Sequence, residues 1–130
     1  MKGLVITHDL QMFTRDFGEP LYKTVGEAVD GWIEVVHPSG LEYPLCFICN
    51  EEGLIRELPL NVLGSYWYGT LQHGCPIAGN IVVMKEDYLC SEPDITGLTD
   101  EEIRKVKEMA SAICGGMMTD LDEQEAQENG

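Results

Sequence analysis

A small α+β domain is what this sequence predicts, and three observations carry that expectation. Short apolar runs recur along the chain: GLVI at 3–6, WIEVV at 32–36, LEYPLCFIC at 41–49 and GNIVVM at 79–84. Each is too short for a stable amphipathic helix and suits a strand. One longer segment, after Thr99, repeats Ile103, Val106, Ala110 and Ile113 at spacings of three and four, the stripe of a helix that covers a sheet. Finally, 130 residues at 44% hydrophobic content can bury one core without disulfides or metal. The expected architecture is a two-layer domain over residues 1–118. It holds an antiparallel or mixed sheet of four to five strands with helices on one face.

The elements follow in order. Residues 3–6 form an interior strand, and 8–20 a loop with a weak strand around Met12 and Phe13. Thr24 and Glu27 have the spacing of a capping box, which predicts a short helix over 24–30 stopped by Asp30 and Gly31. Residues 32–36 return as a strand, and 37–40 (HPSG) turn. The strand region 41–49 contains Pro44, which lacks a backbone donor and belongs at an edge, a bulge or the beginning. Asn50-Glu51-Glu52-Gly53 reads as a hairpin turn, with Gly53 free to take positive φ, leading into a returning strand at 54–58. Asn61 caps a short helix through Tyr68 that Gly69 ends. Residues 79–84 are a strand. Thr99 and Glu102 form a capping box, with Asp100, Glu101 and Glu102 at the positive end of the helix dipole. Gly115-Gly116 ends this helix, and residues 119–130 are expected to be a disordered acidic tail.

Charge limits function. The chain carries 23 Asp and Glu against 8 Lys and Arg, a net charge of −15. Such a surface repels a nucleic-acid backbone, so direct nucleic-acid binding is not expected. No apolar run has the length of a membrane span, and the start MKGLVITHDLQMF lacks a secretory pattern. A cytoplasmic location with five reduced cysteines is the expectation.

Candidate chemistry is sparse. Cys46 and Cys49 have CxxC spacing but lie in an apolar strand, where residues three apart face opposite sides. They read as structural thiols rather than a redox pair or a zinc site completed by His73, Cys75 or Cys90. A Cys75 nucleophile would need His73 or His37 brought to it by the fold. The glycines at 64, 69, 74 and 79 lack the Lys-Ser/Thr ending of a phosphate loop. No catalytic residue, metal or cofactor is assigned. The adjacent aromatics Tyr66, Trp67 and Tyr68 cannot all face one core, so at least one should reach a rim or an interface.

Several short motifs occur in a telling order: Gly31-Trp32-Ile33-Glu34-Val35-Val36, Asn50-Glu51-Glu52-Gly53, Leu58-Pro59-Leu60-Asn61, Ile77-Ala78-Gly79-Asn80 and Leu98-Thr99-Asp100-Glu101-Glu102. In this order the chain resembles the uncharacterised domain-of-unknown-function family numbered 3846. The resemblance covers about residues 1–110 and implies a product of phages, plasmids or integrative elements with no agreed activity. The 8–20 segment and the Cys46, Cys49 and Cys75 set depart from that pattern.

The functional expectation is a non-enzymatic acidic accessory protein that binds another protein bearing a basic surface. Exposed members of Tyr66, Trp67 and Tyr68 would anchor the contact, and a symmetric homodimer is compatible with the size. One alternative is a nucleotide or small-ligand binder, with Arg56, Arg15 or Lys23 meeting phosphate beside the aromatics. Another is a DNA-mimicking decoy.

Overall fold

The computed structural model describes residues 1–87 and 94–123. Its strands are β1 (Lys2–Ile6), β2 (Gln11–Asp16), β3 (Ile33–Val36), β4 (Leu45–Asn50), β5 (Ile81–Asp87), β6 (Asp94–Thr96) and β7 (Thr119–Asp120). Its helices are α1 (Leu21–Val29), α2 (Val62–Tyr68), α3 (Thr70–His73) and α4 (Asp100–Cys114). The strands form one sheet in the order β3-β4-β5-β1-β2-β7. β5 pairs with β1 through Ile81, Val82 and Val83, and with β6 through Lys85, Glu86 and Asp87. All pairs are antiparallel except β2 with β7.

The α+β class holds, on a larger sheet than expected: seven strands among the described residues rather than four or five. Helices also cover both faces rather than one. Leu4, Ile6, Phe47, Cys49, Ile81 and Val83 face the core closed by α2 and α4, through Leu63, Trp67, Ile103, Val106 and Ala110. The alternate residues Val5, Ile48, Val82 and Met84 face a second core closed by Val25 and Val29 of α1 and by Phe17. Burial on both sides is why the central strands are continuous apolar runs rather than alternating ones.

Local corrections have local causes. α1 starts at Leu21 with Pro20 at its N-cap, so Thr24 lies inside the helix and donates to the Gly18 carbonyl at 2.7 Å instead of capping. Asp30 ends α1 in the left-handed region, as expected. Pro44 falls just before β4, at the element's beginning. Residues 54–58 do not form a strand. The chain coils after β4 through Arg56 N–H to Glu52 C=O (2.9 Å) and Leu58 N–H to Gly53 C=O (2.9 Å), and Leu54 and Ile55 stay exposed. Gly53 is not at positive φ. A Cβ there would lie 2.9 Å from the Ala78 carbonyl oxygen, so the residue serves close approach instead.

Asn61 caps α2 by accepting from Gly64 N–H, and Thr99 and Glu102 form both bonds of the capping box on α4. Ile103, Val106 and Ala110 are buried, whereas Ile113 at the end of the stripe is exposed. The expected boundary at residue 118 lies inside the folded body. β7 pairs with Gln11 and Met12, and the Asp122 carboxylate accepts from the Thr14 N–H (2.8 Å) and Oγ1 (2.7 Å). The rest of the expected tail, residues 124–130, lies outside the described residues.

Candidate functional site

Two exposed surfaces stand out, and both are set by hydrogen bonds between segments far apart along the chain. The first is built on α2 and α3. Asn61 is fully buried; besides capping α2, its side-chain amide donates to the carbonyls of Ile6 (3.1 Å) and Gly79 (3.0 Å). It thereby pins the start of α2 to β1 and to the approach to β5. The far end of α2 meets the loop at Gly40, whose N–H donates to the Trp67 carbonyl (2.9 Å). A Cβ at Gly40 would stand 2.9 Å from Trp67 Cα. These contacts fix α2 at both ends.

This orientation sorts the aromatic cluster. Trp67 is 1% exposed and belongs to the core, so it is not available to anchor a contact. Tyr68 is half-buried against the same core. Tyr66 alone points out, 63% exposed, which meets the expectation that at least one of the three reaches a rim. Val62 and Leu71 stand beside it, Leu71 with its whole side chain in solvent. Together with Gly40, Thr70 and Gln72 they line a shallow cavity of about 420 Å³ whose walls contain no charged side chain. The sequence signal for this surface is the absence of Asp, Glu, Lys and Arg from residues 58–84, in a chain where such residues make up 24%.

The second surface lies beside the coil that follows β4. Leu54, Ile55, Pro76 and Ile77 line a groove of about 250 Å³ together with Glu34 and Glu51. Ile55 is 82% exposed. Among the described residues, neither the Glu34 nor the Glu51 carboxylate has a hydrogen-bond or ion-pair partner. Asn50 also lines the groove. Its amide donates to the Val29 and Asp30 carbonyls at the end of α1 (3.0 Å each), and its oxygen accepts from Glu52 N–H (2.8 Å).

Arg56, expected near the aromatics, is instead held at the same end of α1, donating to the Asp30 carbonyl and to its carboxylate (3.2 Å). Arg15 faces Glu27 at 3.6 Å. Six of the eight Lys and Arg side chains lie within ion-pair distance of a carboxylate among the described residues, and they are spread over the molecule. They do not converge beside Trp67.

The two thiols of the CxxC spacing offer little nucleophilicity. Burial, with the Glu86 charge adding, pushes Cys46 up to about 12; burial, with Glu34 adding, does the same for Cys49. Cys49 faces the α2–α4 core and its neighbour Ile48 faces the α1 core. Cys46, three residues before Cys49, therefore points to the opposite side. Cys75 is exposed and Cys90 lies outside the described residues. Among the described residues no three His, Cys, Asp or Glu side chains are grouped to hold a metal ion. His37, one of the conceivable bases, is engaged by the buried Glu86 carboxylate through Nε2. No helix among the described residues is long and apolar enough to cross a membrane.

A family model described as a domain of unknown function (DUF3846) matches residues 1–111. No curated protein and no solved structure matches the chain.

Proposed function

The chain belongs to the DUF3846 family, a domain of unknown function, and from its surface we propose that it is a non-enzymatic accessory protein that binds a basic segment of another protein. The observation that carries this reading is the groove beside the β4 exit, where exposed Leu54 and Ile55 adjoin the unneutralised carboxylates of Glu34 and Glu51. Lysine and arginine have long aliphatic stems and charged heads. The stems fit against Leu54 and Ile55 while the heads meet the two carboxylates. Because the chain's own cations are mostly consumed in internal pairs, the surplus negative charge is left to orient and attract such a partner. The phage or mobile-element setting implied by the resemblance suits a small accessory protein of this kind.

The nucleotide-binding alternative is less well supported: Trp67 is in the core, and the cations that would meet phosphate are dispersed and paired. For a DNA-like decoy, carboxylates should line one face unbroken. On α4 they are interleaved with their own cations, Arg104 contacting both Glu101 and Glu108.

The test is affinity capture with quantitative mass spectrometry, comparing the parent with Ile55→Ser and with the double variant Glu34→Gln/Glu51→Gln. The expected result is a basic protein retained by the parent and lost from both variants. Its capture should weaken as salt rises from about 50 to about 300 mM, because exposed charges are screened. Equal capture by parent and variants, or capture indifferent to salt, would overturn the reading.

A further inference from the structure

A second feature is independent of the acidic groove. The α2–α3 surface combines a projection and a recess. Leu71 stands wholly in solvent, and the charge-free cavity of about 420 Å³ opens directly beside it, walled by Val62, Tyr66 and Gly40. We propose that this surface is the interface of a symmetric homodimer in which Leu71 of each copy enters the cavity of the other.

Three observations lead to a second copy rather than some other occupant. The first is shape. A two-fold interface brings the same patch together with itself, so it needs a knob and a hole side by side on one chain. Leu71 and the adjoining cavity supply both, and the opening is ample for an isobutyl group. The second is charge. Each copy carries −15, so two copies repel almost wherever they meet. None of the residues that line the cavity is charged, and residues 58–84, which supply most of them, contain no Asp, Glu, Lys or Arg, so this is the surface where two such molecules meet the least repulsion at the point of contact. A basic partner would gain nothing from a face that offers it no carboxylate. The third is the extent of exposed apolar surface. Val62, Tyr66 and Leu71 are each more than 60% exposed, and contiguous exposed apolar residues mark contact surfaces.

Salt separates this contact from the one proposed above. Screening weakens the capture of a basic segment, but it relieves the repulsion between like copies and so strengthens the dimer. Sedimentation velocity on the full chain, from about 5 to about 500 µM, should show a monomer–dimer equilibrium. Dimer should gain at least about threefold in association constant between about 50 and about 500 mM salt. Leu71→Asp and, separately, Val62→Asp should be monomeric throughout while keeping the parent's circular dichroism and a melting temperature within about 2 °C. Both side chains are exposed, so folding should tolerate either change. A parent that stays monomeric, a dimer that salt weakens, or a dimer that persists in both variants would each overturn the proposal. Because the readout needs no partner and leaves Glu34, Glu51 and Ile55 untouched, the dimer and the basic-segment reading can fail separately.

Discussion

α2 and α4 pack on the same face of the same sheet, yet their outer sides are finished differently. α4 buries Ile103, Val106 and Ala110 and clothes its other side in paired charges. Arg104 contacts Glu101 and Glu108, Lys107 reaches Asp120 (3.1 Å) and Asp122 (2.9 Å), Lys2 reaches Asp100 (2.9 Å), and Lys85 reaches Glu102 (2.7 Å). α2 buries Leu63 and Trp67 just as well, but turns Val62 and Tyr66 to solvent. A helix with a charged, largely paired exterior has most of its contacts within the chain, Ile113 at its end excepted. One with an apolar exterior has met the needs of folding and still carries surface that folding does not explain. The contrast also separates the origin of stability: α2 is held by burial and uncharged hydrogen bonds, the α4 side partly by ionised groups.

The largest effect that would sharpen this contrast lies within α2 itself. Trp67→Ala should cost about 3–5 kcal/mol, the range for emptying a buried aromatic site, whereas Tyr66→Ala should stay within about 0.5 kcal/mol. Chemical denaturation of both variants checks this; similar losses would mean that the two faces of α2 are not distinguished as described.

The two helix caps provide a second comparison. Asn61→Ala leaves Gly64 N–H and the carbonyls of Ile6 and Gly79 without their buried partner, a loss of about 2–3 kcal/mol. Thr99→Ala removes a cap beside solvent, worth about 1 kcal/mol. A larger loss at Thr99 than at Asn61 would break the view that α2 is the more deeply anchored helix.

The smallest effect concerns pH. Partial burial by itself would raise the Asp122 carboxyl, but hydrogen bonds from Thr14 and Lys107 outweigh it and hold the group below its ordinary value. Partial burial likewise works against the Lys107 ammonium, and Asp122 and Asp120 together raise it above its ordinary value. A depressed carboxyl stabilises the fold above its unfolded value of about 3.9 and ceases to do so as pH falls through the lower folded value. A raised ammonium stabilises below about 10.4 and ceases to do so as pH rises through the higher folded value. The contact of Asp122 with β2 should therefore hold across neutral pH and loosen in acid. In hydrogen exchange, the protection of Thr14 N–H should fall below about pH 4, while that of Gly64 N–H, held by the uncharged Asn61, should not change until the whole domain unfolds. Acid-insensitive protection at Thr14 would remove the ionic contribution from the α4 side.

Much of this was legible along the chain because the signals are local. A capping bond spans three residues, so Asn61 and Thr99 announce α2 and α4, and the stop at Asp30-Gly31 needs only its own backbone. Short apolar runs mark β1, β3, β4 and β5. The same runs carry a second signal: GLVI and IVVM do not alternate, and a strand without alternation is one covered on both faces. The acidity and the resemblance to the family are likewise properties of the sequence. Other elements have no local signal. β6 and β7 are three and two residues long and exist because β5 and β2 offer unpaired edges, a property of distant strands. Residues 54–58 look like a strand by composition, but β5 occupies the place beside β4 that they would take. Which of Tyr66, Trp67 and Tyr68 is buried was decided by Gly40 closing on the end of α2 and by Asn61 fixing its start to β1 and the Gly79 carbonyl. Composition and short spacings thus determined the kinds of element and their ends. Only the tertiary structure decided which side of each was left facing water, because that depends on groups brought together from across the chain.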